Sequence, residues 1–307
     1  MKSDHYITAH PTIPEFDYVK PTTLAEASQV LIDNAGEARP LLGGTDIFVR
    51  MRDGIWEDKY LVDVKTLDGL DYIAFDPSAG LTIGAAVNMN RVSANPQVGE
   101  YYPVLVEAIE SVASYQLRSR ATIVGNICNA SPAGDTIGAC MLLDGVLNVY
   151  SPAGVRQEPL KNFFRGPGET NLKPGDIVTA LQLPNPPQGM VGKYFKLGRN
   201  KASDLCIVGV TVAGYPDADS VSGFRIRLAL ASVAPVPLEV MEVETLLGNT
   251  SITAQLLETA AQAAMDACTP IDDVRASARY RKLMVRNLSR KVLADVWSAL
   301  QDQAKTR

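Results

Sequence analysis

The sequence predicts a protein of mixed helices and strands in two domains, and three observations carry that reading. At 307 residues the chain exceeds what one small core organises. Short β-type runs, such as YLVDV over residues 60–64, alternate with helical periodicity through the first part. A breaker cluster, PNPPQG over 184–189, then precedes a strand pair and a run of Ala/Leu-rich helices.

Taken in order, residues 14–21 (PEFDYVKP) read as an extended lead-in. Thr22 is placed to cap a helix over 23–34, with Glu26 favouring its first turn and Gly36 ending it. A short strand over 39–42 runs into Gly43, Gly44, Thr45 and Asp46 and then one or two helical turns over 47–52. Strand, glycine pair and helix start is a layout that cradles phosphate, since bare amides and the positive end of a helix face the same loop. A carboxylate beside a diphosphate is repelled, so Asp46 reads as a helix N-cap, while the Thr45 hydroxyl can donate to a phosphate oxygen.

Strands follow over 60–64 and 81–83, with a turn at 76–78 between them and a helix or turn from Asn88. Apolar residues at helical spacing predict a helix over 103–114 and another from 136. Between these lies ATIVGNICNASPAGD, residues 121–135, rich in small and turn-forming residues and closed by Asp135. Donor amides ending in one acceptor suit a ligand with phosphates at one end and hydroxyls at the other. A strand over 147–150, a turn at 151–154 and a strand over 177–183 complete this part.

Beyond the breaker cluster, GKYFKLGRNKASDLCIVGVTV over 192–212 holds Tyr194, Phe195 and Lys196 on an extended run. Alternation turns only one of Tyr194 and Phe195 toward any ligand, and leaves open which. Arg199 and Asp204 read as a structural ion pair. Strands over 207–215 and 224–233 pair antiparallel, followed by helices over 239–247, 251–268 and, in one or two pieces, 272–301. Tyr280, Leu283, Val285, Leu288, Val292 and Leu293 fall on apolar faces of the last segment. Its arginines, Arg275, Arg279, Arg281, Arg286 and Arg290, read as a solvated face, some of it available to a partner subunit.

Composition narrows the chemistry. The chain is 46% hydrophobic and 21% charged, with a net charge of −5 that offers nothing to nucleic acid. No apolar run reaches a membrane span, and MKSDHYITAH has neither a secretory core nor a twin-arginine pair, so a cytoplasmic location is expected. Cys128, Cys140, Cys206 and Cys268 are too scattered for a zinc site or an iron–sulfur cluster, and read as structural thiols. The two histidines, His5 and His10, both precede the expected folded body, which leaves it no His general base and no His metal site. No side chain is therefore expected to be catalytic; any reactive group is borrowed.

The ordered set FDYVKPTTLAEA, LLGGTDIFVRMRDG, LVDV and TIVGNICNASPAGDT resembles the FAD-binding medium subunit of the molybdenum hydroxylases, the family of the xanthine dehydrogenase and aerobic carbon monoxide dehydrogenase flavoproteins. The resemblance extends over nearly the whole chain. It implies an α+β fold: a two-lobed FAD-binding domain over 1–186 (lobes about 1–58 and 59–186), then a C-terminal domain of antiparallel sheet plus helices over 187–307. It also implies that Leu42, Gly43, Gly44, Thr45 and Asp46 contact the cofactor from the first lobe, with the diphosphate on Gly43 to Thr45. From the second lobe come Thr122, Gly125, Asn126 and Ser131, while Asp135 accepts from ribityl or ribose hydroxyls. Tyr194 and Lys196 stand at the flavin ring.

The function implied is electron transfer: from 2Fe-2S clusters of a small subunit, through FAD on this chain, to NAD+, a quinone or oxygen, with substrate oxidised at a molybdenum cofactor on a large subunit. A dimer of heterotrimers is the implied assembly. Two other readings are a self-contained flavin oxidase, whose only available tether in the body is a cysteine such as Cys128, and a scaffold that has lost its flavin. One departure bears on the last. The family usually has TIGGN, and Val124 stands where the first of those glycines falls. A β-branched residue resists positive φ, so either the position needs none or the loop is shifted. The chain also lacks the cysteine-bearing insertion of the 4-hydroxybenzoyl-CoA reductase flavoprotein.

Overall fold

A computed structural model describes residues 13–200 and 203–306; His5 and His10 lie outside the described residues. The fold begins with β1 (Asp17–Val19), α1 (Leu24–Asp33), β2 (Ala38–Leu41), α2 (Ile47–Arg52) and β3 (Tyr60–Asp63). The three strands form a parallel sheet in the order β1-β3-β2, with Pro40 on the edge strand β2, where its missing N–H costs no central ladder bond. Because β3 is the central strand, this sheet runs past the lobe division expected at residue 58. The cap of α1 is Thr23, not Thr22: its hydroxyl accepts from the Glu26 N–H, while the Glu26 carboxylate accepts from the N–H and hydroxyl of Thr22.

Next come β4 (Ile73–Asp76) and β5 (Gly80–Gly84), then six short helices: α3 (Met89–Ser93), α4 (Pro96–Tyr101), α5 (Pro103–Glu110), α6 (Tyr115–Arg118), α7 (Ile123–Cys128) and α8 (Ile137–Leu142). The chain continues through β6 (Val146–Ser151), β7 (Gly154–Pro159), the small hairpin β8 (Phe164–Gly166) and β9 (Glu169–Thr170), and β10 (Ile177–Leu183). An antiparallel sheet of order β4-β5-β10-β6-β7 packs on the helices through a core that includes Ile83, Leu105, Ile109, Ile123, Ile127, Leu147 and Phe163.

The last unit is an antiparallel sheet, β11 (Val191–Leu197), β12 (Val208–Pro216), β13 (Phe224–Ala231) and β14 (Leu238–Glu239), backed by α9 (Met241–Gly248), α10 (Ala254–Asp266) and α11 (Ala278–Thr306). The C-terminal helical segment is a single 29-residue helix. Val285, Val292 and Leu293 are buried in its core as expected, whereas Tyr280 and Leu283 are exposed. The two halves meet closely. A Cβ on Gly192 would sit 2.7 Å from Val104, and one on Gly138 would sit 2.6 Å from the Thr211 hydroxyl, so small residues let α5 approach β11 and α8 approach β12. Arg227 on β13 donates to the Leu142 carbonyl and pairs with Asp144, which ties the same seam.

Candidate functional site

A cleft of about 930 Å³ opens between the first sheet, the α7–α8 segment and the C-terminal unit. Its size lies at the upper end of the range for small-molecule and cofactor sites. Leu42, Gly43, Gly44, Thr45 and Asp46 line one wall; Thr122, Gly125, Asn126, Ser131 and Asp135 line another. Ten of the residues singled out in sequence thus share one cavity.

The first turn owes its shape to its glycines. Gly44 has φ of +74°, which L side chains rarely adopt. Gly43 has no such φ; there a Cβ would stand 2.4 Å from the Arg120 carbonyl oxygen, so glycine lets this turn lie directly on the approach to the second one. Asp46 departs from the expectation. It occupies the N-cap position of α2, but in helical backbone conformation, and its side chain makes no capping bond. A helical ψ at that residue turns its carboxylate away from the amides it was expected to meet.

The second turn is less of a loop than the sequence suggests, because 123–128 is helix. Thr122 caps α7, its hydroxyl accepting from the Gly125 N–H at 2.9 Å, so these two residues satisfy one another. Val124 lies inside that helix, 1% exposed, and carries no positive φ. The position needs none. Asn126 accepts from the Thr136 hydroxyl at 2.8 Å, and the Ser131 hydroxyl accepts from the Ala133 N–H. Asn129, which also lines the cleft, has its Oδ1 buried without a hydrogen-bond partner among the described residues.

Asp135 closes the segment in a buried network. Its Oδ1 accepts from the Tyr194 hydroxyl at 2.6 Å and its Oδ2 from Lys196 Nζ at 2.8 Å; Lys196 also donates to the Ser111 carbonyl. Burial pushes the Asp135 carboxyl above its usual range, against the charge and hydrogen bond of Lys196 and the Tyr194 hydroxyl. Burial likewise holds Tyr194 well above its ordinary value, with the neighbouring Cys206 and Asp135 adding to the shift, so it stays protonated and donates. Neither Tyr194 nor Lys196 lines the cleft: both reach it through Asp135. Phe195, on the opposite face of β11, joins the C-terminal core under Lys291. Arg199 and Asp204 form the expected ion pair, with Nη2 to Oδ1 at 3.6 Å.

Two sets of arginines on the walls are not among the cofactor contacts expected from the sequence. Arg39 and Arg50 both lie over the Trp56 ring, at 3.8 and 4.8 Å from its centroid, and Arg39 is held by Asp58. On the C-terminal side, Arg281 was read as solvated and is instead 2% exposed. It donates to the carbonyls of Ile207 and Ser232 and to Asp273, which also accepts from Arg275. Against partial burial, the backbone N–H groups of Arg275 and Ala276, followed by the two guanidiniums, hold the Asp273 carboxyl well below the usual range. Cys128 lines the cleft too, but burial pushes its thiol up to about 12, so it is protonated and weakly nucleophilic at neutral pH.

Among the described residues no cluster of three or more His, Cys, Asp or Glu is arranged to hold a metal, and no helix is long and apolar enough to cross a membrane. What the cleft offers is a glycine turn, hydroxyls, four arginines and apolar walls. That donor set suits a large nucleotide cofactor better than it suits an acid–base reaction.

Comparison with known proteins agrees with that geometry. The chain belongs to the family described as the FAD binding domain in molybdopterin dehydrogenase, whose model matches residues 14–186; the model of the CO dehydrogenase flavoprotein C-terminal domain matches residues 193–296. It is thus an oxidoreductase flavoprotein subunit by family. Among individual proteins, it is 29% identical over 283 residues to the xanthine dehydrogenase FAD-binding subunit of Escherichia coli O157:H7, covering 92% of this chain and 96% of that one. It is 29% identical over 285 residues to the carbon monoxide dehydrogenase medium chain of Hydrogenophaga pseudoflava, covering 93% and 98%. The structure of carbon monoxide dehydrogenase from Hydrogenophaga pseudoflava superposes with a TM-score of 0.88 at 28% identity, over 94% of this chain and 99% of the other.

Proposed function

We propose that this chain holds one FAD in the cleft between the turns at 43–46 and 122–135 and works as the electron-transfer subunit of a cytoplasmic molybdenum hydroxylase. The observation that carries the reading is that both glycine-bearing turns face one cavity of cofactor size. When bound, FAD supplies the redox chemistry, taking electrons from one side and giving them to an acceptor on the other.

The chain's own residues bind and orient. Gly43, Gly44 and Thr45, flanked by Leu42 and Asp46, lie where the diphosphate is held from the first lobe, with the guanidiniums of Arg39 and Arg50 adding positive charge to that wall. Thr122 and Gly125 act by fixing the start of α7, while Asn126, Asn129 and Ser131 present polar groups to the ligand. Asp135 accepts from ligand hydroxyls with whatever capacity Tyr194 and Lys196 leave it. Lys196 sets the charge behind Asp135 and not against the ring itself. The protonated state of Cys128 weighs against a tethered-flavin oxidase.

In this reading the FAD-binding domain spans residues 1–186 and the C-terminal domain 187–307. A large subunit carries the molybdenum cofactor and a small subunit the 2Fe-2S clusters, assembled as a dimer of heterotrimers, with NAD+, a quinone or oxygen as acceptor. Affinity purification from the native host tests the assembly. The expected result is a yellow complex that contains molybdenum and a 2Fe-2S chain and releases its flavin in acid; a colourless chain that takes up no FAD overturns the reading.

A further inference from the structure

Of the five non-glycine residues with positive φ among the described residues, Ala113 (+42°), Ser203 (+56°) and Ser232 (+66°) line the cleft, and Ala130 (+47°) adjoins the lining residue Ser131. Such conformations are costly and persist only where surrounding bonds over-determine them. Here the bonds can be traced. The Ser203 N–H donates to the Ala113 carbonyl at 3.0 Å, and the Ser232 N–H donates to the Pro132 carbonyl at 2.7 Å. Both bonds run from the C-terminal unit to the segments that frame Asp135.

Ser232 is held in turn from behind. Its carbonyl accepts from Arg281 Nη1 at 2.9 Å, its hydroxyl donates to the Cys206 carbonyl, and Arg281 is anchored by the Ile207 carbonyl and by Asp273. A continuous chain of bonds therefore leads from α11 through Arg281 and Ser232 to Pro132, three residues before Asp135. A buried guanidinium spread over two carbonyls and one carboxylate is a rigid fork, which a lysine cannot reproduce.

We propose that Arg281 is a positioning residue for the cofactor site: it keeps Ser232 in its strained conformation, and Ser232 sets the 131–135 turn that presents Ser131 and Asp135 to the cleft. Through this relay the C-terminal domain, which also lines the cleft, sets the shape of the wall opposite it. This rests on the FAD reading above only for the identity of the ligand.

The test uses the full chain with Arg281→Lys and Arg281→Gln, and reads FAD affinity by equilibrium dialysis together with hydrogen exchange of the flavin-free protein. Expected are faster exchange in the peptide covering 131–135 and at Ser232, unchanged exchange in α9 and α10, and FAD binding weakened about tenfold or more, the loss of one charge-assisted hydrogen bond. Ser232→Gly, which relieves the strain and keeps the N–H, is expected to restore part of the affinity in the Arg281→Lys background. Wild-type affinity and wild-type protection of 131–135 in both variants overturn the proposal. So does a loss of protection spread evenly over the whole C-terminal domain, which marks Arg281 as a general stabiliser. If the unsubstituted chain binds no FAD, the cofactor reading fails, while the exchange arm still decides the role of Arg281.

Discussion

Asp135→Asn is the substitution whose consequence follows most directly from the structure. The side chains of Asp135 and Lys196 are 8% and 12% exposed, so their ion pair is largely desolvated. Asp135 accepts from two donors at once, Tyr194 and Lys196. An asparagine has one acceptor oxygen and one NH2 group. With its NH2 toward Lys196, two donors meet and Lys196 keeps only the Ser111 carbonyl; with its oxygen toward Lys196, the Tyr194 hydroxyl must accept where it donated; either way the buried ammonium loses its counter-charge. Removing one partner of a buried pair costs roughly 3–5 kcal/mol, and the residual exposure and the Ser111 bond place this case near the lower figure, about 3 kcal/mol. At about 2–4 °C per kcal/mol for a chain of this size, the flavin-free protein should melt about 6–12 °C lower by calorimetry. The double variant Asp135→Asn with Lys196→Met removes the stranded charge and should recover at least half of the loss, because apolar replacement of a buried pair is often neutral. A single variant melting within about 1 °C of the parent, or a double variant no better than additive, would refute the argument.

Two further outcomes follow from other parts of the fold. Val124→Gly moves the sequence toward the family's usual pattern, yet Val124 is a buried helical residue. The variant should lose about 2–4 kcal/mol in urea unfolding with no gain in FAD affinity, and tighter FAD binding would contradict the helical reading of this position. Asp273 is held below the usual carboxylate range by its bonds to backbone and arginines. A depressed folded value means its stabilisation is present above about pH 4 and is lost as pH falls toward that folded value, so Asp273→Asn should flatten the acid limb of the stability profile. An unchanged acid limb would show that other groups control it.

How much of this was legible in the sequence depends on the range of the interaction. The glycine turn before α2, the 121–135 segment, the antiparallel pair β12–β13 and the Arg199–Asp204 pair rest on local pattern, and each is present. The cap at Asp46 failed because an N-cap needs extended backbone, and the chain leaves Gly44 already turning into the helix. Arg281 failed for the opposite reason. Nothing within a few residues of it reveals that Ile207 and Ser232, far away in sequence, expose carbonyls to its guanidinium. The one local signal was Asp272-Asp273 ahead of an arginine run, a pattern that a solvated face explains equally well. Tyr194 and Lys196 were expected at the flavin ring; that both also bond the Asp135 carboxylate follows from the packing of β11 on α5, which no local pattern reveals.

The central claim is most directly tested by a crystal structure of this chain reconstituted with FAD. The account predicts one FAD lying in the cleft with its diphosphate against Gly43 to Thr45 and with Asp135 facing its hydroxyls. FAD bound outside the space between the 43–46 and 122–135 turns would contradict it.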